Sequence, residues 1–185
     1  MSAVARRLIG LMTVVALLAA GCTRPEPKPA ALAQPTRSAV PAGSVGGACH
    51  LLDYDVVAKF LGLTFEVAAA SQSATTFSCV LRTRAASYPD LVLTVTPTKA
   101  DDKVFRSTIM PKGATAVAEL GKVAYSAPTR PEDSAGPGVE IGWLTGDRRL
   151  IMLRCHLAPG TASELAARLT PKLVSLAVEI DVSSL

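Results

Sequence analysis

The chain opens with a short apolar segment that ends at a cysteine, and this segment limits which residues can fold together. Two arginines precede an apolar run over residues 8–20, and Cys22 follows it closely. A positive start, an apolar stretch and small residues before a processing point are typical of a secretory signal. The run is too short to span a bilayer, which requires about 20 apolar residues. The sequence therefore predicts that residues 1–21 are removed and that the remaining chain folds outside the cytoplasm.

The residues around the processing point indicate which type of secretory signal this is. Leu18-Ala19-Ala20-Gly21-Cys22 resembles a lipobox, the motif in which bacterial processing attaches a diacylglycerol to the cysteine thiol and cleaves just before it. Stable anchoring by acyl chains generally takes more than one chain, and bacterial lipoproteins typically carry two or three. We therefore expect Cys22 to be lipidated and to hold the protein at the extracytoplasmic face of the cell membrane. The alternative is an ordinary free or buried cysteine.

Residues 22–48 have the composition of a tether. They are rich in proline, alanine, glycine and serine, with hardly a large apolar side chain. Such a segment cannot bury enough apolar surface to fold. It would reach about 80 Å if fully polyproline-like and about 30 Å as a flexible coil. We expect a disordered spacer here and a globular domain over residues 49–185.

The charge distribution argues against nucleic acid as a partner. The formal net charge of +4 arises in the signal and the tether, because the chain from Val45 onward contains fourteen Lys plus Arg and fourteen Asp plus Glu. A nucleic-acid-binding domain needs a basic face that releases counterions from phosphates. The folded part is electrically neutral, so we expect no nucleic-acid binding.

Apolar periodicity predicts a single α+β domain, with an antiparallel β-sheet packed by an N-terminal and a C-terminal helix. Helical patterns cover residues 51–61, 101–110 and 162–182. Strand patterns cover residues 64–69, 76–83, 91–96, 122–127, 139–144 and 149–157. A long polar loop is expected over residues 129–138.

End signals accompany the two packing helices. Asp53 is suited to cap the first helix and Gly62 to end it. Residues 161–164 fit a capping box at the start of the last helix, and Pro171 should kink or split that helix. Its expected apolar stripe consists of Leu165, Leu169, Leu173 and Leu176.

Three cysteines remain after lipidation, and an exported protein favours a disulfide between two of them. Strand alternation points Cys79 and Cys155 inward, while Cys49 lies just ahead of the first helix. A Cys49–Cys79 bridge would fasten this helix to the sheet, and it is the favoured pairing. Cys79–Cys155 remains open as the alternative. With the favoured pairing, Cys155 would be a small buried hydrophobic residue.

Both histidines follow cysteines, which raises the question of a metal or catalytic site. Neighbouring residues on a strand point to opposite faces, so Cys155 and His156 cannot easily bind one ion. No G-x-S-x-G motif accompanies His50 or His156, and the glycines at 136–138 have the wrong spacing for a dinucleotide-binding turn. The carboxylate pairs at 101–102 and 132–133 are interpreted as solvated cap and loop charges. We therefore expect no catalytic residue, no metal ligand and no cofactor.

Three short motifs after the tether carry a family resemblance. Cys49-His50-Leu51-Leu52 opens a helix that ends in Phe60-Leu61-Gly62, and the second cysteine occurs in Ser78-Cys79-Val80-Leu81. Together with the lipobox and the stalk, this arrangement resembles the small actinobacterial envelope lipoproteins, many of them mycobacterial, that carry an uncharacterised two-cysteine domain. The resemblance implies an α+β domain over about residues 45–185 and a bridge between Cys49 and Cys79. It implies no particular activity.

Two functions are compatible with this organisation. The leading hypothesis is a non-enzymatic binding domain that captures an apolar or amphipathic ligand of the envelope. The alternative is an accessory subunit that docks onto an envelope protein complex, and an unrecognised enzyme comes third. An enclosed cavity would favour a ligand, whereas a large exposed apolar patch would favour docking. A hydrogen-bonded set of His156, a carboxylate and a serine would favour an enzyme.

Overall fold

A computed structural model describes residues 40–132 and 134–180. The predictions for the signal, for lipidation of Cys22 and for most of the tether concern residues outside this part of the chain. Within it, no helix is both long enough and apolar enough to cross a membrane.

The centre of the structure is one seven-stranded antiparallel sheet, which confirms the predicted fold class. The strands follow the spatial order β1-β2-β3-β7-β6-β5-β4, so β7 lies between β3 and β6. Their bounds are β1 Val67–Ser73, β2 Thr76–Arg82, β3 Asp90–Pro97, β4 Thr115–Val117, β5 Val123–Thr129, β6 Gly138–Leu144 and β7 Arg149–His156.

Three helices accompany the sheet. They are α1 Tyr54–Leu61, a short α2 Asp102–Val104 that continues into a π-helical turn over Phe105–Ile109, and α3 Ser163–Glu179. The predicted end signals of α1 are confirmed, because the Asp53 carboxylate accepts hydrogen bonds from two first-turn amides and Gly62 adopts a left-handed conformation. Asp101 caps α2 in the same way, through the amide of Val104.

Two details of α3 were predicted wrongly. Its N-cap is Ala162, and no side chain accepts a hydrogen bond from the first turn, so the capping box at 161–164 does not form. Leu165 is 43% exposed, whereas Leu169, Leu173 and Leu176 are buried as expected. Pro171 lies inside the helix, which continues on both sides of it.

Alternation along the strands divides the sheet into a covered face and a second face. The covered face packs against α1, α3 and two 3₁₀ turns, Ala42–Val45 and Gly47–Leu51. Its central residues are wholly apolar: Leu91, Leu93, Ile141, Ile151, Leu153 and Cys155. The turns bury Ala42 and Ala48, so packed structure begins ahead of Cys49.

The second face has a smaller apolar cluster at one end. Phe105, from the π-helical turn, packs there on Tyr125, Val123 and Leu144. The two ring centroids of Phe105 and Tyr125 lie 5.7 Å apart. The rest of this face carries polar and small side chains, among them the charged residues of β3, β6 and β7.

The favoured disulfide, Cys49–Cys79, is present and joins the second 3₁₀ turn to β2. Cys155 is a free, buried cysteine, as predicted for the third one. Burial, and secondarily the charge of Asp90, raises the pKa of the Cys155 thiol to about 12. This thiol therefore stays protonated and unreactive at neutral pH.

The strand predictions were wrong at two places. β1 spans Val67–Ser73, so it begins and ends later than the predicted strand over residues 64–69. Its hairpin turn uses Ala74 at a φ of 50°, a conformation that usually calls for glycine or asparagine. The turn therefore gave no signal in the sequence. β4 was missed because it is only three residues long.

Candidate functional site

One candidate binding site is a groove on the covered face, and we call it the α3 groove. It lies between the first two turns of α3 and the adjoining ends of β5 and β6, and it has a volume of about 410 Å³. Its lining residues are Thr115, Ser126, Ala127, Pro128, Thr129, Arg130, Pro131, Pro137, Gly138, Ser163, Ala166, Ala167 and Thr170.

The groove exists because small side chains face one another across it. α3 contributes Ser163, Ala166, Ala167 and Thr170, which have the i, i+3, i+4, i+7 spacing of one helix face. Larger leucines occupy the neighbouring core-facing stripe of the same helix. Small residues cannot fill the space between this part of α3 and β5, so an open slot remains.

The loop between β5 and β6 forms one wall and is fixed to the rest of the fold. The amide of Gly136 donates to the carbonyl of Leu157, and the amide of Leu157 donates to the carbonyl of Pro137. Two lining prolines of this loop, Pro131 and Pro137, stiffen the wall, since proline restricts the backbone. The loop was predicted to be polar, yet its second half, from Ala135 to Pro137, is buried.

Ser126 is the unusual polar group of the groove. It is only 8% exposed, and its hydroxyl makes no hydrogen bond to any described residue. It lies on the covered face directly opposite Thr115 of β4, which also lines the groove. The enclosed side-chain oxygens without a partner in the described ranges are those of Tyr54 and Thr129, so the Ser126 oxygen is open to the groove and available to a ligand there.

The start of α3 adds free donors beside this hydroxyl. The first amides of any helix lack partners within the helix, and in α1 and α2 aspartates satisfy some of them. Ala162 offers no such oxygen at the start of α3. Ser163, at the first position of this helix, lines the groove.

A second polar group lies on the other face of the sheet. Three side chains stand directly opposite one another on β2, β3 and β7: Arg82, Asp90 and His156. His156 Nδ1 lies 3.1 Å from Asp90 Oδ1, and an Arg82 nitrogen lies 3.9 Å from Asp90 Oδ2. The ring of Tyr88 meets His156 edge-on with centroids 6.3 Å apart. We call this set the Asp90 ladder.

A neighbouring row pairs Glu140 of β6 with Arg154 of β7. The Arg154 guanidinium donates to Glu140 Oε2, and the Tyr125 hydroxyl donates to Glu140 Oε1 over 2.6 Å. Burial, the hydrogen bond to Glu140 and its negative charge raise the pKa of Tyr125 well above its ordinary value. Both oxygens of the buried Glu140 therefore have partners from within the protein.

His156 has the carboxylate partner that a catalytic base requires, so its other surroundings matter. Gly138 separates it from Thr129, since a Cβ on Gly138 would lie 3.0 Å from His156 Cδ2 and 2.5 Å from Thr129 Oγ1. That Thr129 oxygen is enclosed and has no hydrogen-bond partner among the described residues. A nucleophile must reach its substrate, and this oxygen does not reach the surface.

The structure separates the residues that sequence analysis had considered for chemistry. His50 is exposed on the second 3₁₀ turn, beside Cys49, which is bonded to Cys79 and so unavailable to a metal. Asp101 serves as a helix cap, and Asp133 lies outside the described residues. Within the described ranges, no three His, Cys, Asp or Glu side chains gather as metal ligands would.

Sequence reasoning missed both polar sites. Glu140 could have been found, because a carboxylate in the middle of the apolar strand Val-Glu-Ile-Gly-Trp needs a partner when that strand is buried. Asp90 precedes its strand pattern and resembled a loop residue. Ser126 gave no signal at all, because its lack of a partner depends on packing.

Comparisons of this chain with protein-family models, with curated proteins and with solved structures find no match in any of the three.

Proposed function

We propose that this protein is a lipid-anchored, extracytoplasmic binding domain that captures an apolar or amphipathic ligand of the cell envelope in the α3 groove. The observation that carries the proposal is the groove itself, an open slot with small apolar walls and a buried hydroxyl without a partner. Its volume of about 410 Å³ lies within the range of small-molecule pockets, about 300–1,000 Å³.

The proposed location follows from the N-terminal sequence. Removal of residues 1–21 and lipidation of Cys22 would anchor the chain as in the actinobacterial envelope lipoproteins it resembles. The disulfide between Cys49 and Cys79 is compatible with an oxidising, extracytoplasmic compartment. The spacer would then hold the groove away from the bilayer surface.

A binding role fits the charged residues better than a catalytic one. The two buried carboxylates, Asp90 and Glu140, are paired with His156 and Arg154 across neighbouring strands. Such pairs stabilise a sheet without taking part in chemistry. Among the described residues, no carboxylate, cysteine or histidine lines the groove, so none of them is placed there as a general base or strong nucleophile.

Docking onto a protein complex has weaker support. Val40, Val45 and Val67 are 65%, 43% and 42% exposed, and they line one shallow groove beside β1. The other strongly exposed large apolar side chains in the described ranges lie apart on three different helices, at Val56, Val104, Leu165 and Val178. A small patch of three valines is less than a stable protein interface requires.

Native mass spectrometry tests the binding role on the mature chain, purified from the membranes of a related host without delipidation. We expect a bound species in addition to the covalent anchor, released on denaturation. A Cys22→Ser variant should lose the anchor mass. A mature wild-type chain that carries only its anchor would contradict the ligand, and a stoichiometric protein partner in its place would favour docking.

A matched pair of variants locates the ligand. Ala167→Trp places a large side chain in the α3 groove and should abolish the bound species. Ser175→Trp adds the same side chain to an exposed position of α3 that does not line the groove, and it should have no effect. Equal loss in both variants would place the ligand elsewhere.

A further inference from the structure

We propose that the α3 groove recognises the anionic end of its ligand, a carboxylate or a phosphate ester, and that the apolar walls take the attached hydrocarbon. This inference rests on the proposed binding function and adds the chemical class of the ligand. It depends on which polar atoms line the groove, on their lack of partners and on the sign of the charge nearby.

The hydroxyl of Ser126 is one donor that the groove offers to an anion. It is 8% exposed, lines the groove and has no hydrogen-bond partner among the described residues. A hydroxyl can donate to an anionic oxygen, and a hydrogen bond to a charged group is about twice as strong as one between neutral groups. An anion in the groove would therefore accept a charge-assisted hydrogen bond from Ser126, whose oxygen is open to the groove.

The N-terminus of α3 is a second feature of the groove that favours an anion. The amide of Leu165 donates to the carbonyl of Ala162, whereas the amides of Ser163 and Glu164 have no side-chain cap, and Ser163 lines the groove. Free amides and the helix dipole favour a negative charge at an N-terminus. α3 has 17 residues, so its dipole is well developed. The helix end and Ser126 belong to different elements, and they reach the same groove independently.

The charge of the residues that line the α3 groove is a third feature that favours an anion. Arg130 is the one charged side chain among the described residues that line the groove, and it is exposed just after β5. A guanidinium binds carboxylates and phosphates in a bidentate manner. In the described part of the chain, Glu164 in the first turn of α3 and Glu132 in the adjacent loop are competing carboxylates, but neither lines the groove.

The apolar walls explain why an amphiphile fits better than a free anion. Ala127, Ala166 and Ala167 also line the groove, and Pro128, Pro131 and Pro137 extend the apolar lining from the end of β5 into the loop. A hydrocarbon chain buried against these residues would gain about 0.8 kcal/mol per CH₂ group. A small inorganic ion would leave these walls in contact with water.

Isothermal titration calorimetry on the mature chain with Cys22→Ser, which carries no competing acyl group, tests this proposal. Three probes separate its parts: decanoate, uncharged 1-decanol and acetate. We expect decanoate to bind at least tenfold more tightly than 1-decanol, because only decanoate uses the donors, and acetate to bind far more weakly than decanoate.

Variants identify the atoms responsible. Ser126→Ala and Arg130→Gln should each weaken decanoate binding by three- to tenfold and leave 1-decanol binding unchanged. Arg168→Gln, on an exposed arginine of α3 outside the groove, is the control and should leave both affinities unchanged.

The outcomes separate this inference from the proposed function. Equal affinities for decanoate and 1-decanol would overturn the preference for an anionic ligand. An equal effect of Arg168→Gln and Arg130→Gln would overturn it as well. Either result would leave the binding of an amphipathic ligand in place. Failure of both decanoate and 1-decanol to bind would overturn the proposed function. Acetate binding as tight as that of decanoate would keep the anion and overturn the amphiphile.

Discussion

The buried carboxylates of the second face and the Ser126 hydroxyl in the α3 groove differ in whether they have hydrogen-bond partners. On the second face, Asp90 and Glu140 are 5% and 6% exposed, and each carboxylate lies directly opposite a basic side chain on a neighbouring strand. On the covered face, Ser126 is almost as buried and has no partner. The charged groups, which would cost most to leave unpaired, are the paired ones.

This difference distinguishes polar groups that stabilise the fold from polar groups that are available to a ligand. On the second face, the carboxylate oxygens of Asp90 and Glu140 already have partners in His156, Arg154 and Tyr125. The groove on the covered face has unused donors together with unfilled volume.

The largest expected effect concerns the apolar packing of the covered face. Leu173→Ala removes a side chain with 0% exposure from the core-facing stripe of α3. We expect the free energy of unfolding to fall by about 3–5 kcal/mol, since a cavity would remain. Urea denaturation measures this loss. Leu165→Ala, on the same helix at 43% exposure, should change stability by about 0.5 kcal/mol or less.

The disulfide attaches the N-terminal 3₁₀ turns to the covered face. The double variant Cys49→Ala, Cys79→Ala opens a loop of sequence separation 30 and should lower the free energy of unfolding by about 3–4 kcal/mol. Thermal and urea unfolding measure this change. Cys155→Ala removes a buried thiol without opening a loop, and an equally large loss there would contradict the assigned role of the bridge.

On the second face, Glu140→Gln tests whether the pairing is structural. It removes the charge that Arg154 and Tyr125 share, and we expect a loss of about 1–3 kcal/mol in the free energy of unfolding. The half-exposed Arg154 keeps access to water, which favours the lower end of this range. Glu164→Gln, an exposed carboxylate on α3, is the control and should change stability little.

The same variant has a pH signature at Tyr125. The raised pKa keeps this phenol protonated in the folded state, while the unfolded phenol ionises near pH 10. The unfolded state therefore loses its proton first, and the Tyr125 contribution to stability is lost as pH rises above about 10. Glu140→Gln should lower the pKa toward its ordinary value, while burial, the largest cause, keeps it raised. Tyrosinate absorbance, compared with Tyr125→Phe, measures this shift.

The smallest expected change in stability is that of Ser126→Ala. Because the hydroxyl has no partner, its removal should change the free energy of unfolding by about 0.5 kcal/mol or less, in either direction. Chemical denaturation without ligand checks this value. A loss above about 2 kcal/mol would mean that Ser126 has a structural partner, and the contrast between the two faces would fail.

Local signals predicted much of the fold. Alternation located six of the seven strands, and Asp53 and Gly62 marked the ends of α1 because caps act through neighbouring residues. The order of strands, with β7 inserted between β3 and β6, depends on long-range pairing and had no local signal. The capping box failed because Ala162 took the cap position beside it.

The candidate site was less predictable than the fold. Periodicity placed Cys79 and Cys155 on the apolar face and left His156 on the other, as the structure has them. The partners of His156 come from other strands, and the groove comes from small residues on three elements that meet only after folding. Sequence patterns record which residues face inward, but they do not record which buried hydroxyl lacks a partner.

The most direct test of the central claim is an NMR titration of the isotope-labelled mature chain, carrying Cys22→Ser, with decanoate. If the α3 groove is the binding site, the largest shifts should occur at the amides of Ser126, Ser163 and Ala167, while Asp90 and His156 stay unchanged. Shifts centred on Asp90 and His156, or no saturable shifts anywhere, would contradict the account.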